Sequence, residues 1–500
     1  MDLFANLATG FHAAASWQNV SFALIGCMLG TLIGVLPGIG PIPTIAMLLP
    51  VTYGLDPLSS LIMLAGIYYG AQYGGSTTSI LVNMPGEASS IVTCIDGYQM
   101  ARQGRAGAAL AVAAIGSFFA GCVGTVFVAA FGPPLALLAQ QFNSPDYFSL
   151  MMLGLLMAII LARGSVLKAL AMVMIGLLLG LVGTDVSTGV VRYTFGISAI
   201  WDRIDFLPLV IGLFGIVEVI RNLEQGDYER TAIRTKFRNL WPKLSDLREA
   251  WQPILRGTGL GAILGILPGG GAVLASFASY TLEKKIAKDP SRFGAGAMEG
   301  VAGPESANNA AAQTSFIPLL TLGLPSNAVM ALMMGAMMIQ GIAPGAAVMD
   351  KRPDLFWGMV ASMWIGNAML LIINLPLIGI WVKLLSMPYR LLYPAILLFC
   401  VVGVYSANTD PADLALTAAF ALFGYILMKL GCEPAPLVLG FILGPLMEEN
   451  LRRSLVLSRG SPMIFIERPI SAVLLVMTAV AVALIVVPQF RKSREEAFQE

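Results

Sequence analysis

The chain has 500 residues, 57% of them hydrophobic and 12% charged, with a mean hydropathy of +0.78 and a formal net charge of +1. A soluble domain carries about 25% charged residues, so the composition excludes an ordinary globular protein and points to a polytopic membrane protein. The near-neutral charge excludes a basic nucleic-acid binder, and one histidine with five scattered cysteines (Cys27, Cys94, Cys122, Cys400, Cys432) leaves little material for disulfides, a thiolate metal site or histidine-based catalysis.

In chain order, residues 1–20 hold the lone His12 and lack a basic region followed by an apolar run, so no cleavable signal is expected. The first apolar stretch, 21–53, contains Gly34-Val35-Leu36-Pro37-Gly38-Ile39-Gly40-Pro41. Prolines and glycines at this density break a helix, and a break in lipid strands backbone polar groups. The stretches 58–83 and 106–131 are also apolar but dense in Gly, Ser, Thr and Asn. Cleaner runs at 147–163, 165–185 and 206–223 read as crossings, since about 20 apolar residues span a bilayer. The longest polar interval, 221–252, carries seven Lys/Arg and five Asp/Glu and reads as a cytoplasmic linker.

Charge placement sets the expected orientation. No Lys or Arg precedes Arg102, so the N-terminus is expected to be periplasmic. Arg102 and Arg105, Arg163 and Lys168, and the linker are all assigned to the cytoplasm. These clusters are reconciled only if 21–53 dips into the membrane and returns to its own side.

The second half opens with Gly261-Ala262-Ile263-Leu264-Gly265-Ile266-Leu267-Pro268-Gly269-Gly270-Gly271, which repeats the spacing of Gly30 to Gly40 at an offset of 231 residues. Lys284, Lys285, Lys288 and Arg292 follow closely, so this segment also returns to the side it entered. A second pair of breaks aligns Pro85 with Pro325 at an offset of 240. The expected fold is all-α, with two inverted-topology repeats, re-entrant helical hairpins and broken helices. The first repeat is 1–223 (hairpin about 21–53, broken helix about 58–90), the linker 224–253 and the second repeat 254–500 (hairpin about 254–282, broken helix about 305–345). Further crossings are expected at 356–380, 392–408, 412–429 and 470–488. Placing both Arg452, Arg453 and Arg459 and the tail Arg491, Lys492 and Arg494 favours a crossing at 434–450 that puts the first cluster outside.

Four breaks meeting near the membrane centre leave helix N-termini whose N–H groups attract anions. The candidate substrate ligands are therefore the backbone at Gly38, Gly40, Gly269 and Gly270, the hydroxyls of Ser76, Thr77, Thr78, Thr314, Ser315 and Ser326, and the amides of Asn83, Asn308, Asn309 and Asn327. Hydroxyls in membrane helices commonly bond to their own backbone, but adjacent buried amides such as Asn308 and Asn309 need partners. Glu305, Glu87 and Asp96 are candidates for ion coupling. Freed carbonyls are expected to hold at most a sodium ion, and no other metal or organic cofactor is expected. The methionines from Met330 to Met338 read as core packing rather than copper ligands.

The stretch YYGAQYGGSTTSILVNMPGEASSIVTCIDGYQMARQGRAGAAL (68–110) resembles the first signature of the TctA family, the large membrane subunit of bacterial tripartite tricarboxylate transporters. GILPGGGAVLASFASYTLEKK and FGAGAMEGVAGPESANNAAAQTSFIPLLTLGLPSNAVMALMMGAMMIQGIAPG resemble its second-half signatures, with Pro325-Ser326-Asn327 standing where a Pro-Gly-Ser turn is usual. The resemblance implies a small four-helix membrane subunit and a periplasmic solute-binding protein as partners. It implies uptake of a di- or tricarboxylate, or another small organic acid, through the bacterial inner membrane, coupled to a cation gradient with sodium as the expected ion and protons as the alternative. The chain lacks the P-loop pattern and H-E-x-x-H, so neither nucleotide hydrolysis nor enzymatic activity is expected; a passive anion channel is the alternative of a different class. An elevator-like motion is the expected route of alternating access, with rocking of the two halves as its rival.

Overall fold

The computed structural model describes residues 3–36, 40–162, 165–185, 188–225, 242–267, 271–384 and 393–486. The described chain is helical apart from one two-stranded ribbon, Gly183–Thr184 against Val191–Arg192. Among the described residues, five helical stretches are long and apolar enough to cross a membrane: Trp17–Val35, Ala88–Ala139, Phe206–Glu224, Pro353–Asn374 and Pro411–Lys429. The protein is a multi-pass membrane protein.

The first half runs α1 (Leu3–Ala14), α2 (Trp17–Val35), α3 (Pro41–Thr52), α4 (Pro57–Val82), α5 (Ile91–Met100), α6 (Ala106–Ala139), α7 (Ser144–Leu161), α8 (Val166–Gly180), α9 (Phe206–Val210) and α10 (Val217–Gln225). The second half begins with α11 (Leu244–Ile266), α12 (Gly271–Ile286), α13 (Glu299–Thr314), α14 (Phe316–Leu322) and α15 (Ala328–Ile339). It continues with α16 (Ala347–Lys351), α17 (Pro353–Asn374), α18 (Ile378–Leu384), α19 (Tyr393–Asn408), α20 (Pro411–Lys429), α21 (Ala435–Leu457), α22 (Ile464–Glu467) and α23 (Pro469–Val486).

The glycines of α2 exist for close packing. A Cβ at Gly26, Gly30 or Gly34 would lie 2.2, 2.3 or 2.4 Å from the carbonyl oxygens of Met63, Ile67 and Ala71 on α4. Both series rise together, so α2 and α4 run parallel with α3 carrying the chain back between them. The second half repeats this contact: a Cβ at Gly257, Gly261 or Gly265 would lie 2.2, 2.1 or 2.5 Å from the carbonyls of Gly303, Ala307 and Ala311. The glycines are 231 residues apart and their carbonyl partners 240, the two offsets read from the sequence. The halves meet where α4 passes α13 and α14 in the opposite sense, with Ser76 Oγ 2.5 Å from Glu305 Oε2 and the Tyr69 and Phe316 rings 6.0 Å apart.

The remaining helices brace this core. Gly176 and Gly180 of α8 admit the carbonyls of Leu437 and Phe441, so residues 434–450 run beside α8 and parallel to it. Lys168 Nζ donates to Leu430 O (2.6 Å) at one end, and Arg452 pairs with Asp185 (2.9 Å) at the other. Arg468 pairs with buried Asp146 at the start of α7 (2.8 Å).

Valine at Gly30 or Gly261 drives a branched side chain into a backbone carbonyl that has no rotamer to yield. Each change is expected to destabilise the detergent-solubilised protein by about 1–3 kcal/mol or more, read as a lower thermal midpoint. Gly259→Ala, whose Cβ meets nothing within 4 Å, is expected to melt near wild type. A wild-type midpoint for Gly30→Val would contradict the packing.

Candidate functional site

The chain breaks converge on one cavity of about 510 Å³. Four short backbone runs line it: Gly40 to Pro43 at the start of α3, Pro85 to Ser89 after α4, Gly271 to Leu274 at the start of α12, and Asn327 to Val329 at the start of α15. Ligand cavities typically measure about 300–1,000 Å³, so a small organic acid fits with water beside it.

Local conformation delivers these residues. Gly40 (φ +64°) and Gly271 (φ +53°) start α3 and α12 in the left-handed region that glycine tolerates. Asn83 (φ +59°) ends α4 and Gly323 (φ +68°) ends α14, followed at matched positions by Pro85 and Pro325. Gly86 carries the first turn against α2: a Cβ there would lie 2.0 Å from Gly34 O. Asn327 caps α15 by accepting from Met330 N–H at 3.0 Å, so its side chain is spent in part on the helix it starts.

The wall is not symmetric in donors. The first turn of α12, Gly271-Ala272-Val273-Leu274, carries four backbone N–H groups without intrahelical partners. The first turn of α3 places Pro41 and Pro43 in the equivalent positions and loses two. Charge comes from α10, where Arg221 pairs with Glu218 at 3.7 Å and both line the cavity. From α4 come Gln72, which accepts from Ser89 Oγ at 2.8 Å, and Tyr68, whose hydroxyl interacts with Gln72, Ser315 and Asn327. The Glu87 carboxylate is the second acceptor within reach of that one Ser89 hydrogen.

Of the residues singled out from sequence, Gly40, Glu87 and Asn327 line the cavity. Gly38, Gly269 and Gly270 lie outside the described residues. Ser326 donates to Ser315 O at 3.3 Å, while Ser315 and Thr314 bond back to Ala311 and Ala310 carbonyls of their own helix. Ser76 and Thr77 line a separate cavity of about 10 Å³ with Tyr73, Ser117 and Asn374. Thr78 donates to Val35 O (2.8 Å), satisfying a carbonyl at the end of α2. Asn309 donates to Ser117 Oγ (2.8 Å) and Glu305 O (3.0 Å), whereas buried Asn308 has no side-chain partner among the described residues. Glu305 is buried between Ser76 and Thr93, away from the large cavity. Asp96 is an anchor for a loop: its Oδ1 accepts from Gly294 and Gly296 N–H at 2.8 Å and from Ala297 N–H at 2.9 Å, and its Oδ2 accepts from Tyr280.

Residues 20–439 match the family described as the tripartite tricarboxylate transporter TctA family. The chain belongs to that family. The TctA family is a transporter family, whose members are the large subunit of tripartite tricarboxylate transporters. The chain is 56% identical over 500 residues, all of its length and 99% of the relative's, to an "uncharacterized 52.8 kDa protein in TAR-I ttuC' 3'region" of Agrobacterium vitis. It is 58% identical over 240 residues to an "uncharacterized protein in TAR-II ttuC' 3'region" of the same organism, covering 48% of this chain and 99% of that one. No solved structure matches this TctA-family chain.

Sequence reasoning missed Tyr68, Gln72, Ser89, Glu218 and Arg221. The first two carried a usable signal, because Tyr68, Gln72 and Ser76 are spaced four apart and share one face of α4. Arg221 carried none: it sits at the edge of a basic linker, where one more arginine is unremarkable.

Asp96→Ala leaves three N–H donors, that of Ala297 buried, without their acceptor. Hydrogen bonds to a charged group contribute about 1.5–3 kcal/mol, so this variant is expected to lower the thermal midpoint and expose the 294–297 loop to proteolysis. A variant as stable and protease-resistant as wild type would refute the anchor.

Proposed function

We propose that this chain forms the transport path for a di- or tricarboxylate, delivered by a periplasmic solute-binding protein and taken up by a cation-coupled secondary transporter that includes a small four-helix membrane subunit. The observation that carries the proposal is the convergence of four chain breaks on one cavity. Each break lies where an unbroken membrane helix would be cheaper, and two of them open full helices, α12 and α15, onto the same space. Their N-terminal dipoles favour an anion. The donor asymmetry favours the α12 and α15 side for the carboxylates, with Arg221 as the one nearby cation among the described lining residues. Family membership supports the partner set.

The halves are read as inverted repeats, each with a re-entrant hairpin, α2–α3 and α11–α12. The matched glycine ladders and the antiparallel passage of α4 and α13 support that reading. With the sidedness set by charge, α1 starts in the periplasm of a bacterial inner-membrane protein. Arg452 then lies with Asp185 and Arg468 with Asp146, all on the periplasmic side. On an elevator reading, the hairpins and breaks move as one body against the outer helices; disulfide crosslinks between the two groups that spare uptake would eliminate it.

The test is uptake and counterflow of a labelled carboxylate panel in proteoliposomes holding the full complex. A carrier exchanges substrate against substrate, and a channel does not. Asn327→Asp keeps the helix cap, since aspartate caps as well as asparagine, but adds a negative charge at the cavity. It is expected to give monodisperse protein with at least about tenfold less uptake, equivalent to about 1.4 kcal/mol. Wild-type uptake by this variant would remove Asn327 from the site.

A further inference from the structure

Glu305 is wholly buried in the middle of α13, where the two halves touch. Among the described residues its carboxylate meets two hydroxyls and no cation: Ser76 Oγ from α4 lies 2.5 Å from Oε2, and Thr93 of α5 donates to Oε1. The titratable groups that face it are Tyr73 on α4 and Cys94 on α5. Other charged groups around α13 are already engaged. Arg256 of α11 pairs with Glu283 of α12 at 2.6 Å, and Asp96 of α5 is held by the 294–297 backbone. A buried ionised carboxylate without a counter-charge is strongly disfavoured.

The hydrogen count points the same way. Ser76 Oγ has one hydrogen and two neighbours that can only accept if Glu305 is ionised: Glu305 Oε2 and Gln72 O, at 2.5 and 3.0 Å. One hydrogen cannot serve both. Gln72 O also holds the Ser76 N–H of the helix ladder, but only a protonated Glu305 makes all three side-chain contacts hydrogen bonds at once. Glu305 Oε2–H then donates to Ser76 Oγ, Ser76 O–H donates to Gln72 O, and Thr93 O–H donates to Oε1. From Gln72 the polar contacts continue to the large cavity, because its side chain lies against the Ser89 hydroxyl, whose one hydrogen has Gln72 Oε1 and the Glu87 carboxylate as its alternative acceptors.

We propose that Glu305 is a proton-binding site, and that loading and unloading it couples transport to a proton gradient. The inference rests on the transporter reading above and goes beyond it by assigning the coupling ion and its residue. Ser76 and Thr93 position the carboxyl group. Gln72 ties its state to the substrate cavity, since losing the proton forces Ser76 to turn its hydrogen from Gln72 O to Glu305.

The test uses the full complex in proteoliposomes, with citrate or the best carboxylate of the panel as probe, and infrared spectroscopy of the purified protein. Glu305→Gln imitates the protonated acid, its amide N–H donating to Ser76 and its carbonyl accepting from Thr93. Wild type is expected to accumulate substrate under an imposed pH gradient without sodium. Glu305→Gln is expected to keep substrate exchange within about twofold of wild type and to lose gradient-driven accumulation. A carboxylic-acid carbonyl band, present in wild type at neutral pH and lost at alkaline pH, is expected to be missing from the variant. Ser76→Ala is expected to shift that band. Glu305→Gln accumulating substrate like wild type, wild-type accumulation that follows sodium and ignores the pH gradient, or an infrared band unchanged by Glu305→Gln would each overturn the proposal. Failure of the transporter reading is told apart, because wild type would then neither take up nor exchange any carboxylate while the infrared band is still scored.

Discussion

The structure depends on one constraint: backbone polar groups freed by a helix break have no water to turn to inside a bilayer. Breaks are therefore tolerated only where protein surrounds them. The glycine ladders meet this requirement. By letting α2 lie against α4, and α11 against α13, at backbone contact distance, they bring the end of α2 against the turn that follows α4 and the end of α11 against Thr314 at the end of α13. Thr78 shows the same constraint at a single atom, because its hydroxyl serves the Val35 carbonyl that the end of α2 would otherwise leave bare. Gly86 shows it at a turn, where the absence of a side chain lets Gly34 O approach.

Matching the two halves residue by residue separates what the architecture demands from what chemistry adds. The left-handed residues recur at Gly40 and Gly271 and at Asn83 and Gly323, with the prolines at 85 and 325. These positions are structural, since each fixes where a helix starts or stops. What differs between halves is polar. Glu87 stands at the position of Asn327, and Pro41 and Pro43 stand where α12 has Ala272 and Leu274. One half of the cavity thus offers a carboxylate and few donors, and the other offers an amide and a full turn of N–H groups. An anion and a cation would sort themselves across such a wall without any lysine within the broken segments.

Much of this was legible in the sequence, for a physical reason. Glycine and proline cannot be neutral inside a membrane helix, so their repetition at offsets of 231 and 240 marks the breaks and pairs them. The cavity composition was less legible. Thr78, Thr314 and Ser315 have the same chemistry as a ligand but are used by nearby carbonyls, and only coordinates tell the two uses apart. Asp96 was drawn in by its place beside a broken segment, yet it organises a distant loop whose glycines supply N–H donors with no sequence signature. Arg221 enters the wall from α10 through tertiary packing alone.

Helix α4 is the element that joins these parts. Tyr68, Gln72 and Ser76 stand on one face at successive turns, so a single rigid helix presents a hydroxyl to Asn327 and Ser315, an amide to Ser89 and the cavity, and a second hydroxyl to Glu305. Turns of an α-helix are about 5.4 Å apart, which sets the spacing between the cavity and the buried carboxyl group at a distance the helix itself cannot change. Communication between them must then pass through the direction of hydrogen bonds along this face rather than through its length. Gln72 O keeps the Ser76 N–H of the helix ladder whichever way the Ser76 hydroxyl points, so the hydroxyl can turn without baring a buried carbonyl. On the proposed reading, a change of one proton at Glu305 is felt as a change of charge and of hydroxyl direction one helical turn from Gln72, whose side chain faces the substrate cavity.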